Sequence, residues 1–231
     1  MIQQALAKIF LSDNRKIRQS SRYQSLSTFS SGDEQSTHEL SSPGLYALDD
    51  VELAGSAGID VDIKETSYMI LLPITGDLIY TDAAGKKAWI NVGELKIISL
   101  PAASGIRLTN PFPNDIINYL QICIRANRQM NQNINALFNF DLHKKQNDLK
   151  EMYPLFSPFS ISIGRFNGRK EGVYPMRSKK SRLFAFIITG AFEFENRLLE
   201  TRDGLEVSGI EEAHFEALSE GAILLLIERF I

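Results

Sequence analysis

The sequence is poor in the residues that most often carry chemistry. It has one cysteine, Cys123, so an internal disulfide is excluded, and a reducing compartment such as the cytoplasm is expected. It has three histidines, His38, His143 and His214, and no two stand at metal-ligand spacing. Net charge is low: 25 Lys and Arg against 28 Asp and Glu leave −3, too weak a field to draw nucleic acid or an anionic membrane. Long apolar runs are missing, so no stretch reaches the length that spans a bilayer. The opening MIQQALAKIFLSDNRK has too short an apolar run and no small-residue cleavage site, so no signal peptide is expected. No glycine cluster has a phosphate-binding pattern; AGSAG and GRFNG both lack it.

What is present is a series of short runs rich in Ile, Leu, Val and Tyr, separated by Gly, Pro, Asn or Asp. They begin with AKIF and continue, after Pro43, through LYALDD, GIDVDI, YMILLPI, DLIYTD, AWINV, LKIISL, GIRLTN and YLQICI. They resume with FSISIGRF, RLFAFIITG, AFEFEN, GLEVSG, AHFEAL and AILLLIERFI. Short strands at this spacing predict an all-β protein built of antiparallel barrels or sandwiches. Residues 19–43 form a polar connection around an apolar patch at Leu26 to Phe29. Residues 126–155, rich in Asn and Gln, read as an interdomain connection with short helices at NALFNF and NDLKEMY.

The chain repeats itself. ITGDLIYTD at 74–82 is echoed by ITGAFEFEN at 188–196, and each copy is followed by a glycine, Gly93 or Gly204, before the next strand. Two similar barrels are expected: an N-terminal one over 1–125, including the first strand and the polar segment 12–43, and a C-terminal one over 156–231.

The order and spacing of several segments resemble the pirin family of bicupins. They are STF at 27–29, LYALDD followed by LAGSAG, Gly85 spaced from Asn91-Val92-Gly93, GELKII, GIRLTN, LQICI, and the segment ENRLLETRDGLEVSGIEEAHFEAL. The usual second cupin motif has Pro where Asn91 stands. The resemblance implies two cupin (jelly-roll type) barrels packed face to face. It also implies one iron in the N-terminal barrel, held by three histidines and a glutamate, with quercetin 2,3-dioxygenase activity in some members and transcription-cofactor roles in others.

At the implied ligand positions the chain departs from the family. Aligned on Gly58 and Gly76, the two histidines of the first motif fall at Asp62 and Lys64, and its acidic position falls at Tyr68. The third histidine and the glutamate become Leu108 and Asn110. A leucine cannot ligate and a lysine ammonium repels a cation, so neither iron nor another metal cofactor is expected.

Two registers are open for Gly58–Gly76. In the one the family implies, Asp62 and Lys64 point into the barrel and form, with Tyr68 and Asn110 nearby, a polar pocket for a small anionic or phenolic ligand. In the other, Ile59, Val61 and Ile63 point inward and the charges meet solvent. The resulting expectation is a cytoplasmic, non-catalytic pirin-like protein that binds a small ligand or a protein partner. The alternative is an enzyme: an iron-dependent quercetin 2,3-dioxygenase, or a metal-free one using Asp62, Lys64 or Tyr68. Cys123, inside the apolar LQICI, reads as an inert packing residue, His214 as a strand surface residue, and RSKKSR at 177–182 as a solvated loop.

Overall fold

The computed structural model describes residues 6–29, 44–126, 134–154 and 157–230. Those residues are almost entirely β-strand. In chain order the first strands are β1 (Leu6–Phe10), β2 (Lys16–Gln19), β3 (Tyr23–Phe29), β4 (Leu45–Leu53), β5 (Gly58–Ile63), β6 (Ser67–Thr75) and β7 (Leu78–Thr81). Next come β8 (Lys87–Ile90), β9 (Glu94–Leu100), β10 (Ser104–Thr109), β11 (Ile117–Arg125), β12 (Asn135–Asn139), β13 (Lys150–Met152) and β14 (Phe159–Phe166). The last are β15 (Glu171–Pro175), β16 (Arg182–Thr189), β17 (Phe192–Phe194), β18 (Arg197–Leu199), β19 (Gly204–Ser208), β20 (Glu212–Ala217) and β21 (Ala222–Arg229). A 3₁₀ turn at Ser12–Asn14 is the one helical element among the described residues, and no helix there is long and apolar enough to cross a membrane.

The chain divides into two units: a central barrel, Arg15–Phe140, and an outer barrel made of residues 1–14 and 141–231. In the central barrel a seven-stranded sheet, β12-β9-β6-β11-β4-β3-β2, faces a four-stranded sheet, β5-β10-β7-β8. Inward side chains of both sheets, among them Leu53, Leu71, Leu78, Leu108, Ile117 and Tyr119, form one core. The outer barrel repeats the plan with β1-β19-β16-β21-β14-β13 and β15-β20-β17-β18. Its core is aromatic. Phe166 meets Phe215 edge-on at 5.1 Å between ring centroids, and Phe194 stacks on Phe215 at 6.0 Å.

The internal repeat has a structural counterpart. β6 is flanked by β9 and β11, as β16 is by β19 and β21. In both copies the glycine of ITG turns the chain into the next strand with positive φ, +73° at Gly76 and +81° at Gly190.

Two expectations are corrected. The connection over 126–155 was expected to hold short helices; its described residues hold β12 and β13 instead. In β12, Ala136 and Phe138 are half-buried and alternate with exposed Asn135, Leu137 and Asn139, a period of two. The free edge of β9 takes up its backbone hydrogen bonds, from Asn135 opposite Ile98 to Asn139 opposite Glu94. The first strand was grouped with the N-terminal barrel, but β1 pairs with β19, Leu6 opposite Ser208 through Phe10 opposite Gly204, and so completes a sheet of the outer barrel. The patch Leu26–Phe29 lies in β3. Most of the polar connection, residues 30–43, lies outside the described residues.

A Cβ at Gly76 would stand 2.4 Å from the Ile117 side chain, and one at Gly190 would stand 2.4 Å from Ser219 Oγ, both on a left-handed backbone. Gly76→Ala and Gly190→Ala are each expected to destabilise the protein by more than ~1 kcal/mol in urea unfolding. Gly85→Asn, at φ +80° with nothing within 4 Å of the added Cβ, is expected to be tolerated.

Candidate functional site

The strand register decides where the expected site residues go. β5 and β10 pair so that Ile59 lies opposite Leu108, Val61 opposite Ile106, and Asp60 opposite Arg107. Ile59, Val61 and Ile63 pack on the core with Ile106 and Leu108. Asp60, on the other face, forms an exposed ion pair with Arg107 at 2.7 Å. Asp62 and Lys64 share that outward alternation and are exposed. They form no ion pair with each other or with any other described residue. The solvent-facing register is therefore the one adopted.

The other three positions do not build a pocket with them. Leu108 is completely buried in the core. Tyr68 is buried on the face of β6 opposite to Met69 and Leu71, which point inward. Asn110, 1% exposed, is consumed by backbone. Its side-chain nitrogen donates to the carbonyls of Leu53, Ala54 and Asp115 at 3.0, 3.0 and 2.7 Å, and its oxygen accepts from the Phe112 N–H at 2.9 Å. These residues do not fit iron: one offers no donor atom, one is engaged, and two face solvent. Among the described residues no three His, Cys, Asp or Glu side chains converge. His143 and His214 are exposed in the outer barrel, beside Arg165 and Glu212, and His38 lies outside the described residues.

The central barrel nevertheless holds a cavity of about 1020 Å³. One wall is the inner face of β2, β3, β4 and β11; the other is β5 with its Ile59, Val61 and Ile63. Asp62 and Lys64 reach its rim. A polar row crosses the first wall: Lys16 opposite Ser27, Ser27 opposite Asp49, and Asp49 opposite Gln121. Cross-strand partners share a face, so the register itself brings these groups together. Ser25, Asp49 and Gln121 are each at most 9% exposed and line the cavity. Ser27 Oγ donates to Asp49, and Arg18 reaches Ser27 at 3.4 Å. The side chains of Ser25 and Gln121 have no hydrogen-bond partner among the described residues. Deeper in the barrel, the buried Tyr119 hydroxyl is also unpartnered.

The lining is electrically balanced. Lys16, Arg18, Lys64 and Arg125 stand with Asp49, Asp60, Asp62 and Glu65, and Arg125 is paired with Glu65. Burial pushes the Asp49 carboxyl up, against the Ser27 hydrogen bond and the Arg18 charge, which both lower it. Burial also pushes the Cys123 thiol up to about 12, with Asp49 adding to the effect, so the thiol stays protonated and is no nucleophile. Tyr46, bonded to Ser67 at 2.6 Å, is raised to about 12 chiefly by burial. The arrangement offers hydrogen-bond donors and acceptors, and no activated nucleophile.

None of Ser25, Asp49 or Gln121 was singled out from the sequence. Their signal is a polar residue on the inward phase of an apolar strand: Gln121 within YLQICI and Asp49 within LYALDDVEL.

Paired antiparallel sheets, twice in one chain and with the same turn in each copy, define a bicupin. The comparisons agree. Residues 150–228 match the family model of the quercetinase C-terminal cupin domain. The bacterial pirin YhhW of Escherichia coli, solved with nickel(II), superposes with a TM-score of 0.82 at 14% identity, over 98% of this chain and 100% of that one. A quercetin 2,3-dioxygenase of Acinetobacter baumannii superposes with a TM-score of 0.72 at 12% identity, over 98% and 86%. No curated protein sequence matches significantly. The chain thus has the two-barrel fold of the pirins, and its C-terminal barrel matches a cupin domain.

Asn110→Asp would set a carboxylate among three carbonyl oxygens. It is expected to cost about 3 kcal/mol in chemical denaturation. Asp49 has the opposite sign. Its pKa in the folded chain lies above its value in the unfolded chain, about 3.9. Its contribution to stability is therefore full below that value and lost as pH rises through the raised one. Asp49→Asn is expected to flatten this fall and to be more stable than the parent above it, read from denaturation midpoints between about pH 4 and 8.

Proposed function

We propose that the protein is a metal-free, non-catalytic cupin whose central barrel binds a small molecule, acting in the cytoplasm as a ligand-dependent regulatory partner. The observation that carries this reading is the cavity lined by the buried polar side chains of Ser25, Asp49 and Gln121, of which Ser25 and Gln121 have no hydrogen-bond partner among the described residues. Buried polar groups without partners cost free energy unless something satisfies them, and a cavity of this size admits a small ligand. The family's iron chemistry finds no support in the donor set: Leu108 fills the interior and Asn110 is tied to backbone.

The likeness to a quercetin 2,3-dioxygenase favours a second reading, an iron-dependent enzyme. One experiment separates the two. Protein purified anaerobically from iron-replete cells is expected to carry far less than stoichiometric iron by elemental analysis. Quercetin turnover with added iron is expected to stay at background. Stoichiometric iron together with turnover overturns the binding reading.

A further inference from the structure

The wall of the cavity specifies more than size. Asp49 and Gln121 are directly opposed on β4 and β11, which sets their Cβ atoms about 4.5–5.5 Å apart on one face. One Asp49 oxygen accepts from Ser27, leaving the other available. Gln121 presents both a carbonyl and an amide with no protein partner, and Ser25, diagonal to Asp49, presents a hydroxyl. Two planar side chains side by side, one accepting and one both accepting and donating, match two hydroxyl groups on adjacent carbons. One hydroxyl donates to Asp49, and its neighbour exchanges hydrogen bonds with Gln121. The balanced charge of the lining favours neither an anion nor a cation.

From this we infer that the central barrel recognises an uncharged vicinal diol through Asp49, Gln121 and Ser25. The inference rests on the reading of this barrel as a small-molecule site and names the chemistry of its ligand. It also moves recognition away from β5 and β10, where the family resemblance put it, to β3, β4 and β11. Ser27 and Arg18 are positioning residues: the Ser27 hydroxyl fixes one Asp49 oxygen, and Arg18 reaches that hydroxyl. Adjacent hydroxyls occur on saturated rings, as in sugars and polyols, and on aromatic rings, as in catechols. Both present the same pair of donors.

The test titrates the full chain, by protein-observed NMR, with trans-cyclohexane-1,2-diol, cyclohexanol, catechol, phenol and benzoate. At least one diol is expected to bind about tenfold tighter than its mono-ol, since the second hydroxyl adds a hydrogen bond to a buried group. Preference for cyclohexanediol assigns the saturated source and preference for catechol the aromatic one; either supports the inference. Gln121→Leu is expected to bring diol affinity down to that of the mono-ol, with a melting temperature at or above the parent's, because a buried amide without a partner gives way to an apolar side chain. Lys87→Ala, on the exposed edge strand β8, is expected to bind as the parent does. Equal binding of diol and mono-ol, no binding of either diol, or unchanged diol affinity in Gln121→Leu overturns the inference. Benzoate binding tighter than the diols overturns the diol assignment but leaves the barrel a small-molecule site. Stoichiometric iron with flavonol turnover overturns that underlying reading instead.

Discussion

An antiparallel register one residue long in its consequences governs the central barrel: Ile59 opposite Leu108, Val61 opposite Ile106. A slip by one would turn Ile59, Val61 and Ile63 out to water and drive Asp60, Asp62 and Lys64 inward. Ile63 would forfeit roughly 1.5–3 kcal/mol of burial, and the half-buried Ile59 and Val61 smaller amounts. The charges would lose hydration with no built partner inside, an even larger penalty. No polar pairing between Asp62 and Lys64 competes with that sum. The register also fills the region near β10 with Leu108 and leaves the remaining space toward β2, β3, β4 and β11, where the polar row lies.

Much of this was legible from residue pattern. Alternation and glycine punctuation gave the strands, and the ITG repeat marked the two barrels. Its glycines take the same left-handed turn in both. The segments that misled were those where local composition and tertiary pairing disagree. NALFNF has a helical look in isolation, but the open edge of β9 recruits it as a strand. The site was less legible than the fold. Positions 62, 64, 68, 108 and 110 were nominated by alignment to a metal-binding pattern. Alignment carries register over as an assumption, and here the side chains are outward, outward, on the opposite face, packed, and tied to backbone. Asp49 and Gln121 meet only because β4 and β11 are neighbours, although 72 positions separate them in sequence. Nothing in either strand alone shows that encounter.

The two barrels put one plan to different uses. In the outer barrel, Phe166, Phe192, Phe194 and Phe215 meet edge-on or stacked and occupy the interior. Across the central barrel's wall, small and polar residues, Ser25, Asp49 and Gln121, stand where bulk would otherwise close the space. The interior of such a barrel can be closed by packing or left open and polar. This chain takes packing at β5 and β10 and polarity at β3 and β4.

The pairing of β1 with β19 constrains the order in which the molecule can assemble. The central barrel is, in topological terms, an insertion: its sequence is continuous, whereas its neighbour is interrupted by it. During synthesis, the strand that precedes the insertion has no partner until the distant half of the chain has emerged. Holding its two ends together across an unfolded insert would be entropically expensive, although the cost grows only slowly, by about 0.6 kcal/mol per doubling of loop length. A central barrel that folds first shortens that loop to the span between its own ends. The interrupted barrel is thus the one whose maturation waits on another, and β1, with Leu6 and Ile9 exposed even when paired, is the segment left uncovered meanwhile.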